Sequence, residues 1–373
     1  MKNLRLVMLG AFAPSVSGTA RFGDRLAQAL SDRGVEVDTV RLDDGAASPD
    51  PRVVGELVAG SAASLNTCLG LLNRGDVALM QHQDDLYGGV HGEALLEILG
   101  ALRVPSVVVV HTVPKNPEPH KRWVLERIAA TADRLVVLSK AARERLCQDY
   151  AVERDRVLAI PHGGTIPTSP RLKRASRPVL LTWGSLGPGK GVERVIDAMA
   201  SLDSVPGRPR YLVVGQTHPK VAAAQGEAYR EARAAQATRC GVADSVVLDD
   251  RRYDRATLTT LIQSVSAVVL PYDSRDQVSS AILVDALAAG RPVVATAFPH
   301  AVELLSGGAG ILVDHDDPAA MASALRRVLT QPRLAGAMAA EARKLAPTLA
   351  WSTVAETYIG LAERVLAESR PRQ

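Results

Sequence analysis

The stretch Leu181-Thr182-Trp183-Gly184-Ser185-Leu186-Gly187-Pro188-Gly189-Lys190-Gly191 joins a short apolar run to an amphipathic one. Val179–Thr182 predicts a buried strand and Val192–Ala200 a helix, so Gly184–Gly191 forms the turn at the strand's carboxyl end. Bare backbone amides, a positive helix terminus and the ammonium of Lys190 together suit an anion. The order is not GxxxxGK[ST]: Lys190 is followed by Gly191 and Val192, so no magnesium-binding hydroxyl is supplied and a kinase- or ATPase-type P-loop is disfavoured. Nor is it GxGxxG, the fingerprint a dehydrogenase would need. The alternative is a glycine-rich turn carrying a solvated lysine.

Working outward, the same strand–loop–helix grammar recurs on both sides. In the first half, Leu4–Leu9, Glu36–Arg41, Val77–Gln81, Ser106–His111, Arg134–Leu138 and Arg156–Ile160 read as strands. Helical patterns at Arg21–Arg33, Glu93–Leu102, Lys121–Thr131 and Ala141–Asp149 lie between them. In the second half, strands at Tyr211–Val214, Val246–Leu248, Ala267–Leu270, Pro292–Ala295 and Gly310–Val313 alternate with helices at Tyr229–Cys240, Arg255–Ser264, Ser280–Ala289, Ala319–Leu329 and Arg333–Ala346. Such alternation predicts α/β architecture: two Rossmann-like, doubly wound domains with parallel sheets covered on both faces. The expected division is residues 1–165, a proline-rich linker at 166–177, a second domain at 178–350, and a terminal helix and tail at 351–373 that cross back to the first domain. Ligands are expected in the cleft at the strands' carboxyl ends.

Composition narrows the class. The 373 residues exceed the usual single core, and 47% hydrophobic with 23% charged residues is an ordinary globular balance. A net charge of +4 is compatible with an anionic substrate, and 3% aromatic residues argue against base-stacking platforms for nucleic acid. Cys68, Cys147 and Cys240 are scattered and odd in number, which fits a reducing, cytoplasmic setting rather than a disulfide framework or zinc site. The first ten residues read as a strand and not a leader, and no window is apolar enough to span a membrane. The basic runs near Lys121–Arg127 and Arg171–Arg177 read as solvated, with peripheral contact to anionic lipid as a minority alternative.

Other segments carry candidate chemistry. In Pro271–Gly290, Ser279 or Ser280 can cap a helix whose first amides face the cleft. Asp285 lies inside that apolar helix, where a carboxylate is expensive unless paired or bonded to a ligand hydroxyl; an exposed helix face is the alternative. In the first half, Gly18 belongs to Ser15-Val-Ser-Gly-Thr19, a second small-residue approach for a phosphate. His82 and Tyr87 lie in Gln81–Gly89, and His82, His111 and His162 all follow apolar runs, where residues from different strands share one rim. Each alone is more often structural. The paired aspartates (Asp43-Asp44, Asp84-Asp85, Asp249-Asp250, Asp316-Asp317) read as solvated loop ends rather than metal ligands.

On these residues the chain resembles the retaining glycosyltransferases of family 4, which have the two-domain GT-B fold. Thr182–Gly191 with Val192-Glu-Arg-Val-Ile-Asp-Ala198 is similar to their GRLxPxKG donor loop. Leu283–Thr296 is similar to the second half of their ExxxxxxxE region, and Val157–Gly163 resembles their IPNGV stretch. Val107–Thr112, with His111, resembles the first-domain strand that lines the sugar site.

The resemblance implies Lys190, His111 and Gln277 as catalytic residues. Gly18, Lys190, Arg275, Ser279 and Ser280 would hold the diphosphate, Asp285 and Arg252 the ribose or base, and His82, Tyr87 and His162 the sugar or acceptor. It further implies a metal-independent transfer with no cofactor beyond the nucleotide-sugar donor, to a saccharide acceptor and not to nucleic acid. GDP-mannose is slightly favoured over UDP-glucose as that donor, on the family's common donors. The α-linkage usual for retaining hexosyltransferases follows in the same way.

Three departures mark this sequence. Ser185 stands where the family has the arginine of GRL, and Arg275 is the expected replacement. Gln277 and Asp285 stand for the two glutamates of ExxxxxxxE, and His162 for the usual Asn. A non-catalytic nucleotide-sugar-binding protein is the alternative that Ser185 and Gln277 raise. A nucleotide-sugar epimerase would need an acidic and histidine constellation that the sequence does not assemble.

Overall fold

The computed structural model describes residues 4–84, 86–168, 177–315 and 317–369. Most of the expected linker and of the basic run 171–177, together with Asp85, Asp316 and the tail 370–373, lies outside these residues. The chain forms two compact units, residues 1–163 with 351–373, and residues 164–350.

In the first unit the strands β1 (Arg5–Gly10), β2 (Glu36–Leu42), β3 (Val53–Leu57), β4 (Val77–His82), β5 (Ser106–Val110), β6 (Arg134–Val137) and β7 (Val157–Ala159) form one parallel sheet. Its order is β3-β2-β1-β4-β5-β6-β7. The connecting helices are α1 (Gly18–Ser31), α2 (Ala62–Leu72), α3 (Ala94–Ala101), α4 (Pro119–Thr131) and α5 (Lys140–Asp149). Strands β1, β4 and β5 are nearly all buried apolar residues, as a sheet covered on both faces requires.

The second unit repeats the plan. Its strands β8 (Val179–Trp183), β9 (Arg210–Val214), β10 (Val246–Asp249), β11 (Ala267–Leu270), β12 (Val293–Thr296) and β13 (Gly310–Val313) pair in parallel, in the order β10-β9-β8-β11-β12-β13. The helices are α6 (Val192–Ala200), α7 (Pro219–Gln225), α8 (Ala228–Arg239), α9 (Arg255–Ser264), α10 (Ala281–Ala288), α11 (Pro299–Leu305), α12 (Pro318–Thr330) and α13 (Pro332–Leu345). Neighbours along a strand serve opposite layers: Leu180 joins a core with Val195, Met199 and Leu325, whereas Leu181 joins one with Leu283, Leu287 and Phe298.

The last helix, α14 (Trp351–Ser369), belongs to the first unit. Trp351, Val354, Tyr358, Leu361 and Val365 recur at helical spacing and share a core with Phe22, Leu26 and Leu30 of α1. The unit boundary falls two residues before the expected end of the first domain at 165. The reason is local: the Gly164 amide donates to the Leu349 carbonyl at 2.6 Å and residue 164 bridges to Ala350, which ties it to the second unit.

Four elements have no counterpart in the sequence reading: β3, α2, α7 and α11. Strand β3 is an edge strand alternating between half-buried and exposed residues, and α7 and α11 have seven residues each behind a proline. Helix α2 has Asn and Thr on a weakly sided pattern, with only Cys68 and Leu72 buried.

In both units the strand order reverses direction beside the first strand, between β1 and β4 and between β8 and β11. Loops leaving adjacent strands to opposite faces open a crevice there. In the second unit those loops are Gly184–Gly191 and Pro271–Ser280, and they touch. Gly191 caps α6 in the left-handed region at φ +70°, and a Cβ on it would stand 1.6 Å from the Pro271 carbonyl oxygen. Gly189 is also left-handed, at φ +87°, but a Cβ there meets open space. Gly189→Ala is therefore expected to cost only the left-handed strain, about 1–2 kcal/mol. Gly191→Ala adds an overpacking cost, for about 2–5 kcal/mol in total. Denaturant unfolding of the two variants checks this, and equal losses would refute the close approach.

Candidate functional site

The loop after β8 is held from both sides. On one side the Gly184 amide donates to the Val214 carbonyl (2.9 Å), the Leu186 amide to the Gln216 carbonyl (2.9 Å) and the His218 amide to the Leu186 carbonyl (2.8 Å). On the other, the Asp273 amide donates to the Gly189 carbonyl at 3.0 Å, and the Arg194 guanidinium pairs with Asp273. A loop so tethered presents Lys190 from a fixed backbone.

Lys190 is half-buried, with its Nζ 4.7 Å above the centre of the Tyr272 ring and 3.5 Å from the Tyr272 hydroxyl. No carboxylate among the described residues pairs with it. Withdrawal from water thus acts uncompensated and pushes the ammonium down to about 7. The Tyr272 ring stacks on Phe298 at 5.3 Å, and the Thr296 hydroxyl donates to the Tyr272 carbonyl at 2.8 Å. Burial raises the Tyr272 phenol, which stays neutral. Tyr272 was not a sequence candidate; its place directly after an apolar strand was the signal available.

The second loop ends in the cap of α10. The Ser280 hydroxyl accepts from the Leu283 amide at 3.3 Å, as a helix-capping serine does. Ser279 is half-buried beside it, and Arg275 is exposed in the same loop. The Gln277 side-chain amide donates to the Ser279 carbonyl at 2.9 Å, so in this state it braces the turn. Asp285 is half-buried on α10, and its Oδ1 accepts from the Thr165 amide at 3.4 Å. Arg252 is exposed, and its Nε donates to Gln216 Oε1 at 2.6 Å, next to the loop's outer tether. Lys190, Arg275, Gln277, Ser279 and Ser280 thus belong to the two switch-point loops of one unit.

The first-unit candidates gather at the corresponding strand ends. His111 donates from Nε2 to Gln81 Oε1 at 3.0 Å, while Gln81 Nε2 donates to the Ala11 carbonyl at 3.2 Å, which fixes the amide's orientation and the imidazole tautomer. Burial, helped by His162 and His82, pushes His111 down to about 3, so it is a neutral hydrogen-bonding group near neutral pH. His162 is buried against Trp351 (5.3 Å) and Phe22 (5.3 Å), with Nδ1 2.7 Å from the Gly163 carbonyl. His82 is buried, and desolvation lowers it as well. The buried Tyr87 hydroxyl donates to the Gln81 carbonyl at 2.7 Å. Gly18 is the exposed first residue of α1, capped by Ser17. Sequence reasoning missed Gln81 as the hub of this group. A second signal was the pair Gly10 and Gly23, each of which leaves room for its side chain.

Among the described residues no group of three or more His, Cys, Asp or Glu is arranged to hold a metal ion. No described helix is long and apolar enough to cross a membrane.

Comparison with known proteins accounts for both units. The family model described as Glycosyltransferase Family 4 matches residues 16–163, and that described as Glycosyl transferases group 1 matches residues 177–331. The chain belongs to the family-4 glycosyltransferases. Its two parallel-sheet units are those of the GT-B fold. A D-inositol 3-phosphate glycosyltransferase of Streptomyces avermitilis is 29% identical over 277 residues, 67% of this chain and 58% of that protein. The enzyme of the same name from Xylanimonas cellulosilytica is 28% identical over 284 residues, 69% and 65% of the two chains. The chain thus spans about three-fifths of the length of these curated relatives. The structure of Anabaena HepE in complex with UDP and glucose superposes with a TM-score of 0.76 at 18% identity, over 97% of this chain and 100% of that one. Within the loop Gly184–Gly191, Lys190 is the one charged side chain and position 185 is a serine.

The unusual electrostatics of Lys190 can be read directly. In NMR spectra of protein carrying labelled lysine side chains, one lysine is expected to titrate near pH 7, and its signal should vanish in Lys190→Arg. Titration of every lysine above pH 10 would overturn the buried, unpaired placement.

Proposed function

We propose that this protein is a retaining, metal-independent hexosyltransferase that moves a hexose from a nucleotide sugar to a saccharide or glycosylated acceptor. The observation that carries the reading is Lys190: a half-buried ammonium without a carboxylate partner, held at the switch point beside the capped start of α10. Such a cation is costly until an anion arrives. A diphosphate about 4 Å away would restore its proton and contribute roughly 4 kcal/mol of attraction in a partly screened site, before desolvation.

In the proposed reaction the bond from the sugar's anomeric carbon to the β-phosphate oxygen breaks, and its electron pair stays on the diphosphate. Lys190 and the first amides of α10 stabilise that charge as it develops, which lowers the barrier electrostatically. Arg275 supplies the charge that Ser185 lacks. An acceptor hydroxyl attacks from the face the diphosphate leaves and gives its proton to the departing diphosphate oxygen, so the anomeric configuration is kept and an α-linkage results. Asp285 takes the ribose hydroxyls and Arg252 lies toward the base. His111, neutral and oriented by Gln81, offers a hydrogen bond to the sugar without adding charge.

The structural neighbour solved with UDP and glucose supports uridine as the first base to test, ahead of the guanosine that the family's common donors favour. The curated relatives support a phosphorylated polyol among the acceptors to be screened. Thermal-shift measurements with GDP, UDP and ADP and their sugars should single out one base, since a ligand bound only by the folded state raises the melting temperature. Lys190→Ala is expected to reduce turnover of that donor at least a hundredfold with an unchanged melting profile. Arg275→Ala should reduce it about tenfold. Near-normal turnover in Lys190→Ala would overturn the proposed role.

A further inference from the structure

The loop that faces Lys190 is braced from behind by the segment Thr296–His300, which runs from the end of β12 into the start of α11. Thr296 bonds the Tyr272 carbonyl, Phe298 stacks on the Tyr272 ring, and His300 reaches the far end of the loop. His300 is 1% exposed and makes two contacts there. Its amide donates to the Gln277 carbonyl at 3.3 Å, and its Nδ1 accepts from the Ser280 amide at 2.9 Å. An imidazole nitrogen that accepts an N–H carries a lone pair, so the side chain is neutral with its proton on Nε2.

This arrangement sorts the amides at the start of α10. The Ser280 N–H goes to His300 and the Leu283 N–H to the Ser280 hydroxyl. Those of Ala281 and Ile282 stay outside the helical ladder, and neither has a partner among the described residues. The choice of acceptor matters electrostatically. A carboxylate in the place of His300 would hold the Ser280 amide equally well, but would set a negative charge behind an anion site. A neutral imidazole orients the turn without that repulsion.

We propose that His300 is a positioning residue for the donor diphosphate: a neutral acceptor that holds Ser280 and Gln277 so that the Ala281 and Ile282 amides point at the phosphates. The inference rests on the reading of Lys190 and α10 as the diphosphate site. Asn is the conservative variant, since its Oδ1 can replace Nδ1 as a neutral acceptor; Asp keeps the acceptor and adds charge; Leu removes the acceptor.

The test is calorimetric titration of the full chain with GDP, UDP and ADP, and with guanosine, uridine and adenosine as phosphate-free probes. His300→Leu is expected to weaken the tightest diphosphate at least tenfold, with His300→Asn within threefold of the wild type. His300→Asp should also be at least tenfold weaker, and all three variants should keep the affinity for the matching nucleoside. If His300→Leu does not fold, the Asn and Asp pair decides, because both keep the hydrogen bond. Equal diphosphate affinity in His300→Asn and His300→Asp, or loss of nucleoside and diphosphate binding in parallel, would overturn the positioning role. Lys190→Ala separates the two levels. If it leaves diphosphate affinity unchanged, the underlying site is wrong; if it weakens binding while the His300 variants do not, only this inference fails.

Discussion

The ammonium of Lys190 lies over the ring of Tyr272, and much of the second unit is arranged so that it can. The contact joins loops that leave adjacent strands, β8 and β11, where the strand order reverses. Gly191 has no side chain because the Pro271 carbonyl occupies the space a Cβ would need. Asp273 secures the same junction through the Gly189 carbonyl and Arg194. Tyr272 is held in turn by Phe298 and Thr296. A cation placed on an aromatic face keeps part of its favourable electrostatics without neutralisation by a carboxylate. It is therefore available to an incoming anion, at the expense of a depressed ionisation.

The first unit solves a related problem without charge. Gln81 at the end of β4 receives the His111 imidazole and gives its own amide to the Ala11 carbonyl, so strands β1, β4 and β5 meet through one fully buried side chain. His111, His162, Phe22 and Trp351 then form a ring cluster that includes the first residue of α14. The terminal helix is thereby part of the structure that positions His111. Both units use the end of a strand beside the switch point, one to place a cation and the other to place a neutral hydrogen-bonding ring.

Several features were open to inspection in the sequence. The strands β8, β11 and β12 are runs of apolar residues, and the glycines of the loop after β8 follow one of them at once. Helix α10 is announced by Ser279-Ser280 before an octet that is apolar but for Asp285. The His-bearing strand ends are visible for the same reason. What escaped were elements whose burial is shallow or whose length is small, such as β3 and α11. The supports that lie far along the chain also escaped. Tyr272 is 82 residues from Lys190, and Gln81 is 30 from His111. Nothing in a local pattern of apolar residues reports which polar group will stand opposite which.

By itself, then, the sequence determined the two α/β units, their parallel strands and the glycine-rich loop after β8, because these follow from periodicity, turn chemistry and the motifs of a known family. Only the tertiary structure decided that Lys190 would stand on Tyr272 unneutralised, that Gln277 would brace a turn, and that His300 would hold the cap of α10. Those outcomes depend on which loops the sheet order brings side by side. That order is set by the packing of both faces at once, a global property that no short window of residues contains.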